Sequence, residues 1–186
     1  SLKALIVTGC MAQRYKEEIL KEIPEVDAVI GTTAQRQIAG TLEEILSGNE
    51  PSGTGGKLLV EDENQRTGTD AERVVTTGGY YSYLKIAEGC DKRCTYCVSP
   101  SIRGRYRSIA MEEILADARA LADKGIREVI LVAQETTLYG TDLYGYKALP
   151  ELLKKISEIE GIEWIRLMYC YPEEITREIA EAMRDN

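Results

Sequence analysis

The sequence contains no histidine, and its five cysteines are grouped as three, one and one. Without histidine there is no imidazole to complete the ligand set of a structural zinc site. Cysteines grouped in this way do not form a disulfide framework and fit a reducing compartment, so we expect a cytoplasmic protein. No apolar run approaches the roughly 20 residues that a transmembrane helix needs, and the N-terminus has no signal-peptide pattern, so no membrane partner is expected.

The net charge of the chain indicates which kind of partner it is not expected to bind non-specifically. A formal net charge of −8 argues against broad, non-specific binding of nucleic acid by this chain. The hydrophobic share of 44% and the charged share of 29% are ordinary for a globular protein with a buried core.

Three of the cysteines lie together in the stretch Cys90-Asp91-Lys92-Arg93-Cys94-Thr95-Tyr96-Cys97. Three thiolates on one loop can hold a soft metal centre, but they supply one ligand fewer than a four-iron cluster has irons. One iron is then open to another ligand. The alternative is a zinc site, which would need Cys10 or Cys170 from elsewhere in the chain to close it.

Residues 1–48 show a β-α-β-α pattern, which is typical of a parallel sheet. Apolar runs predict strands at 2–7 and 26–30, and helical spacing predicts helices at 13–22 and 34–46. Two strands are too few for a stable layer, so we expect these residues to be the C-terminal part of a larger domain. The following residues, 49–79, are rich in Gly, Ser, Thr and acidic residues and are predicted to be a linker with one weak strand.

A second domain is predicted over residues 80–186, built from successive β-loop-α units. The predicted strands are 81–87, 128–133 and 162–169, and the predicted helices are 111–124, 149–159 and the residues from 173 onward. Such units indicate part of a βα barrel. In these barrels the catalytic and binding residues lie on the loops that follow the strands. We therefore expect the cysteine loop, Gln134-Glu135 and Cys170-Tyr171 to share one rim. Because a partial barrel leaves an open sheet edge, we expect the chain to be a fragment cut at both ends.

Three motifs carry a resemblance to a known family: Thr8-Gly9-Cys10-Met11-Ala12-Gln13, the cysteine stretch, and Pro100-Ser101-Ile102-Arg103-Gly104. With them the chain resembles the methylthiotransferases among the radical S-adenosylmethionine (SAM) enzymes. The resemblance covers nearly the whole chain apart from the linker. It implies an α/β fold in which the C-terminal part of a methylthiotransferase N-terminal domain precedes about half of a radical SAM partial (β/α) barrel.

The resemblance also implies two 4Fe-4S clusters and SAM as cofactors. Cys90, Cys94 and Cys97 would hold the cluster whose open iron chelates SAM. Cys10 would be one ligand of an auxiliary cluster, whose other two cysteines are not in this sequence. We therefore expect the auxiliary cluster to be incomplete here and the fragment to be inactive alone, and we expect the cysteine loop to be poorly held without its cluster.

Four further residues are candidates for binding SAM, each with an open alternative. Tyr96 packs against the adenine or belongs to a core beside the cluster. Gln134 and Glu135 bind the SAM amino group or form a solvated strand end. Arg103 binds the SAM carboxylate, steers an acidic target or lies in a solvated basic loop. Cys170 is predicted to be a buried thiol without a ligand role.

Two stretches indicate the branch of the family. Residues 133–144 (Ala-Gln-Glu-Thr-Thr-Leu-Tyr-Gly-Thr-Asp-Leu-Tyr) and residues 166–172 resemble the branch that adds a methylthio group to the β-carbon of an aspartate in a small-subunit ribosomal protein. The resemblance implies cleavage of SAM to a 5′-deoxyadenosyl radical, hydrogen abstraction from the target and delivery of sulfur from the auxiliary cluster. The alternatives are the sister branch that modifies an adenosine in tRNA, and a zinc-stabilised binding module.

The partners implied by the resemblance are a small-subunit ribosomal protein or the ribosome, and an electron donor such as flavodoxin or ferredoxin. RNA contact is implied only for a C-terminal domain that this sequence does not contain.

Overall fold

The computed structural model describes residues 2–48, 56–65 and 74–185. The strands, in chain order, are β1 (Ile6–Thr8), β2 (Ala28–Ile30), β3 (Lys57–Leu59), β4 (Tyr81–Lys85), β5 (Ala87–Glu88), β6 (Arg107–Ser108), β7 (Glu128–Val132) and β8 (Trp164–Leu167). The α-helices are α1 (Cys10–Tyr15), α2 (Glu17–Glu22), α3 (Ile38–Leu46), α4 (Ser99–Arg103), α5 (Met111–Asp123), α6 (Leu149–Ser157) and α7 (Arg177–Asp185). Short 3₁₀ helices lie at Gln35–Gln37 and Pro172–Glu174.

The chain divides into two compact units. Unit 1 comprises Ser1–Thr69 and Lys92–Gly104, and unit 2 comprises Asp70–Asp91 and Arg105–Asn186. This division differs from the predicted one, because Lys92–Gly104 was expected to belong with the second domain. The boundary between the units falls inside the cysteine motif, after Asp91.

Unit 1 contains a parallel sheet in the order β1-β2-β3. β2 is buried along its whole length, and its Val29 packs with Ala12 of α1, Ile19 of α2 and Val26 in a small core. The predicted parallel pattern is therefore confirmed for this part of the chain. The weak strand predicted within the linker 49–79 is confirmed as β3, which pairs with β2 in the first sheet. The half-buried Lys57–Leu59 completes the sheet, whereas residues 49–55 and 66–73 of the predicted linker lie outside the described residues.

Several predicted boundaries in unit 1 also change. The first strand begins at Ile6 rather than residue 2, and Leu2 is exposed at the surface. The predicted helix over 13–22 is two helices, α1 and α2, which meet at Lys16. The backbone of Lys16 has φ 44° and ψ −117°, a conformation that a continuous helix does not contain.

Unit 2 contains a second parallel sheet, in the order β4-β7-β8. The central residues of β7 are buried, and α5 and α6 contribute apolar faces to the same core, which includes Ile114, Leu131 and Leu152. The successive β-loop-α units predicted from the sequence are thus confirmed, with each element shorter than predicted by a few residues. The last predicted helix begins as a 3₁₀ turn and becomes α-helical only at Arg177.

Two features were not predicted. β5 and β6 form a short antiparallel pair on either side of the cysteine loop, with Ala87 opposite Ser108. Ser99–Arg103, shortly after the cysteines, form the short helix α4. Among the helices of the described residues, none combines the length and the apolar character needed to cross a membrane.

Candidate functional site

The cysteine loop has little regular structure between β5 and α4. All five cysteines are free thiols. Cys90 is buried in unit 2, whereas Cys97 is exposed in unit 1 and its backbone N–H donates to the carbonyl of Cys94 at 3.0 Å. This hydrogen bond closes a tight turn between the last two cysteines of the motif.

The Cys97 thiol is in an environment that favours its anion. A hydrogen bond with the Ser99 side chain, and a second with the Ser99 backbone, lowers the pKa of Cys97, while burial has a smaller opposing effect. A thiolate is the form that binds metals and acts as a nucleophile. Cys97 is therefore suited to be a ligand.

The donor set fits an iron–sulfur cluster in its chemistry. Cys90, Cys94 and Cys97 are three free thiols, and soft thiolates are the ligands of such clusters. In the part of the chain that the structure describes, no three side chains among Cys, Asp and Glu are grouped closely enough to hold a metal ion.

In unit 2, the residues after β7 contact the start of the cysteine loop. The Gln134 Oε1 atom accepts a hydrogen bond from the backbone N–H of Gly89 at 2.6 Å. Glu135 is fully buried, and its Oε1 accepts hydrogen bonds from the backbone N–H of Thr137, at 3.0 Å, and from the Thr137 hydroxyl. The alternative of a solvated strand end is therefore wrong for Glu135.

Tyr106 lies in the same buried polar region of unit 2. Burial raises the pKa of Tyr106 far above its ordinary value, and the nearby charges of Asp142, Glu135 and Cys90 raise it further. The Tyr106 side chain thus remains a neutral phenol, and its backbone N–H donates to Oδ1 of Asp91 at 3.3 Å. The sequence alone did not point to Tyr106 because it lies outside every motif described above.

Two candidate residues that are distant in sequence meet in unit 1. The Nη2 atom of Arg103, at the end of α4, donates a hydrogen bond to the Sγ atom of Cys10 at 3.1 Å. Cys10 is the first residue of α1 and follows Gly9, whose φ of 94° is in the region that favours glycine. Arg103 therefore lies at the end of a helix rather than in a loop, and its partly exposed side chain contacts a predicted ligand.

The Gln13 side chain, one turn after Cys10, contacts the residues that follow β2 and β3 in unit 1. Its Oε1 accepts from the backbone N–H of Thr32 at 3.0 Å, after β2, and its Nε2 donates to the carbonyl of Glu61 at 3.4 Å, after β3. A Cβ at Gly31 would collide with Oε1 of Gln13, so glycine allows this close approach. The Gly-Cys-x-Ala-Gln motif therefore includes a residue that joins the carboxyl ends of the sheet.

The remaining candidates lie at the surface or at the end of β8. Tyr96 is 89% exposed, so the alternative that it belongs to a core beside the cluster is wrong. Cys170 is half-buried rather than buried, and its Sγ lies 3.2 Å from the hydroxyl of Thr136. Thr136 also donates to the carbonyl of Met168 at 2.7 Å, so it joins the loop after β7 to the loop after β8.

A profile described as the "Radical SAM superfamily" matches residues 84–186. The ribosomal protein uS12 methylthiotransferase RimO of Lachnoclostridium phytofermentans is 55% identical over 184 residues, which are 99% of this chain and 40% of that protein. The protein of the same name from Acetivibrio thermocellus is 52% identical over 183 residues, which are 98% of this chain and 40% of that protein. The chain thus spans about two fifths of the length of these curated relatives.

A solved structure of TsrM, a radical S-adenosylmethionine methyltransferase from Kitasatospora setae with cobalamin and a [4Fe-4S] cluster bound, is also similar. It is 21% identical, with a TM-score of 0.44, and the match covers 56% of this chain and 20% of TsrM.

Proposed function

This chain belongs to the radical SAM superfamily, and from that premise we propose that it is the SAM-cleaving part of a methylthiotransferase for an aspartate of a small-subunit ribosomal protein. One observation supports this above all: the residues that match the superfamily include Cys90, Cys94 and Cys97 at the required spacing. The relatives named as uS12 methylthiotransferases match nearly the whole chain.

Cys90, Cys94 and Cys97 would hold a 4Fe-4S cluster and leave one iron for SAM. When bound, the cluster supplies the electron that cleaves SAM to methionine and a 5′-deoxyadenosyl radical. The lowered pKa of Cys97 supports its role as a thiolate ligand. Cys10 would be a ligand of the auxiliary cluster, but it is the one thiol that this sequence offers for that set, and we derive no step through it.

The surrounding side chains would bind and orient SAM. Tyr96 lies between Cys94 and Cys97 in the sequence, and its ring is exposed. The ring would therefore be available to pack against the adenine of SAM. Gln134 already contacts the loop through Gly89, which brings its amide to the rim where the SAM amino group would bind. Arg103 remains a candidate for the SAM carboxylate, in competition with its contact to Cys10. Positioning of this kind holds the reacting atoms in line and keeps water away from a reactive radical.

A ribosomal protein suits this chain better than a nucleic acid as the target. The net charge of −8 disfavours contact with a phosphate backbone. We also propose a cytoplasmic location, because five free thiols fit a reducing compartment. A one-electron donor of the flavodoxin or ferredoxin kind would supply the reducing electron.

The test is anaerobic reconstitution of the chain with iron and sulfide, followed by dithionite and SAM. We expect a brown protein with a four-iron spectrum that releases 5′-deoxyadenosine. Cys94→Ala should abolish both signals, whereas Cys170→Ala, a matched cysteine outside the motif, should retain them. A colourless protein with one tightly held zinc per chain and no SAM cleavage would instead identify a zinc-stabilised binding module.

The target is tested separately with the protein in its natural length. Incubation with the small-subunit ribosomal protein should add the mass of a methylthio group to one aspartate, and incubation with tRNA should leave the adenosines unchanged. Modification of tRNA alone would reject the proposed target and retain the superfamily chemistry.

A further inference from the structure

The cysteine loop leaves unit 2 after Asp91 and returns at Arg105, and its two ends are joined by a very short ladder. Ala87 and Glu88 of β5 pair with Ser108 and Arg107 of β6, and the N–H of Ile109 donates to the carbonyl of Ile86 at 2.9 Å. A two-stranded ladder of this length is not stable by itself in water. Other contacts must therefore hold the base of the loop closed.

Asp142, in the loop after β7, provides such a contact. Its Oδ2 accepts from the backbone N–H of Ser108 at 2.9 Å, and its Oδ1 accepts from the Ser108 hydroxyl at 2.6 Å. The Ser108 hydroxyl in turn accepts from the N–H of Gly140 at 2.9 Å, and Ser108 is only 3% exposed. Hydrogen bonds to a carboxylate are about twice as strong as those between neutral groups.

The same loop also holds the other end of the cysteine loop. Gln134 accepts from the N–H of Gly89, immediately before Cys90, and Asp91 Oδ1 accepts from the N–H of Tyr106 at 3.3 Å. The residues after β7 therefore contact β6 through Asp142 and the residue after β5 through Gln134, while Asp91 joins the two ends of the cysteine loop directly. Asp142 makes two of these contacts and has no other role in the proposed reaction.

On the basis of the proposed function, we propose that Asp142 is a positioning residue for the iron–sulfur cluster. By fixing β6 through Ser108, it keeps β6 paired with β5 and so holds the buried Cys90 at the base of a closed loop. The closed base restricts the positions that the other two cysteines can reach, which lowers the entropy lost when the cluster binds. Asp142 acts through Ser108 and need not touch the cluster or SAM.

The experiment compares Asp142→Ala and Asp142→Asn with Tyr144→Phe. Tyr144 is a matched control because its hydroxyl, in the same loop, accepts from the N–H of Met111 at 2.8 Å, beyond the base of the cysteine loop. The first measurement is amide hydrogen exchange in the cluster-free chain. We expect Asp142→Ala to speed exchange at Ser108 by roughly tenfold to a hundredfold, as for the loss of a hydrogen bond to a charged group.

The second measurement is the retention of iron and the cluster spectrum after anaerobic reconstitution and removal of free iron. Asp142→Ala should lose iron several-fold faster than the unmodified chain, and Asp142→Asn should recover part of the difference because its amide oxygen can still accept from Ser108. Tyr144→Phe should retain iron as the unmodified chain does, even where its melting temperature falls by a similar amount.

Two results would overturn the positioning role. One is unchanged exchange at Ser108 in Asp142→Ala. The other is an equal rate of iron loss in Asp142→Ala and Tyr144→Phe, which would make Asp142 an ordinary stabilising residue. If the unmodified chain takes up no iron–sulfur cluster, the proposed function fails instead, and the exchange measurement still decides whether Asp142 closes the loop.

Discussion

Units 1 and 2 each contain a parallel three-stranded sheet, yet different interactions hold the two sheets. The sheet of unit 2 packs on a large apolar core that joins β7, α5 and α6. The sheet of unit 1 has a small core around Val29. The same topology can thus be supported by very different amounts of apolar burial.

Polar side chains also connect the elements of unit 1. Asp27 Oδ2 accepts from the N–H of Leu5 at 2.7 Å, and Gln37 donates to Glu61 at 2.6 Å. Gln13 contacts the residues after β2 and β3, as described above. Each of these hydrogen bonds depends on a specific partner. We therefore expect the stability of unit 1 to fall when such polar side chains are replaced, and that of unit 2 to fall when buried apolar side chains are replaced.

The largest effect is expected in the core of unit 2. Leu152 of α6 is fully buried, and Leu152→Ala should destabilise unit 2 by about 2–5 kcal/mol through lost burial and a cavity. Hydrogen exchange in β7 during denaturant titration measures this. Leu46→Ala is the control, since Leu46 is 54% exposed in α3, and it should change stability by about 0.5 kcal/mol or less. A loss in Leu152→Ala as small as the control's would show that this core contributes little to the stability of unit 2.

The second effect is expected at Gln13. Gln13→Ala should destabilise unit 1 by about 1–3 kcal/mol, because the half-buried Thr32 and Glu61 lose their hydrogen bonds to the buried Gln13 side chain. Faster exchange should appear at the amides of β1 and β2, with those of β7 unaffected. Gln35→Ala, at an exposed position of the nearby 3₁₀ helix, serves as the control. Equal protection of β2 in both variants would show that the polar contacts contribute little.

The third effect concerns alkaline pH and tests unit 2. Burial is the first cause that raises the pKa of Tyr106 and of Tyr139 above the ordinary value of 10.0. The folded state therefore favours the neutral phenols, so their contribution is complete below pH 10 and is lost as the pH rises above it. Tyr106→Phe should reduce the alkaline slope of unfolding free energy by about 1.4 kcal/mol per pH unit. Denaturant titrations between pH 9 and 11 measure the slope, and an unchanged slope contradicts the prediction.

The smallest effect is expected at the junction of α1 and α2 in unit 1. Lys16 is exposed and has a positive φ of 44°, so Lys16→Gly should raise the stability of unit 1 by about 0.5–1 kcal/mol after the entropy cost of glycine. Lys21→Gly, within α2, should instead lower it by about 1 kcal/mol. Hydrogen exchange at the amides of α1 and α2 measures both changes. The prediction fails if both variants stabilise unit 1 or both destabilise it.

Local patterns in the sequence were sufficient to predict most helices and strands of unit 2. The apolar run of β7 and the helical spacing of α5 and α6 are properties of neighbouring residues, and they appear within a few residues of the predicted positions. The prediction was less accurate in unit 1. β3 has only a short apolar run within a polar segment, and its place in the sheet depends on pairing with β2.

The candidate site likewise has features that the sequence predicts and features that depend on the tertiary structure. The spacing of Cys90, Cys94 and Cys97, together with the absence of histidine, follows from the sequence and indicates the metal chemistry by itself. The contact between Arg103 and Cys10 joins residues 93 positions apart, and that between Asp142 and Ser108 joins residues 34 positions apart. Ligand type is a property of single side chains, whereas such partners depend on how distant segments pack, so only the tertiary structure decided them.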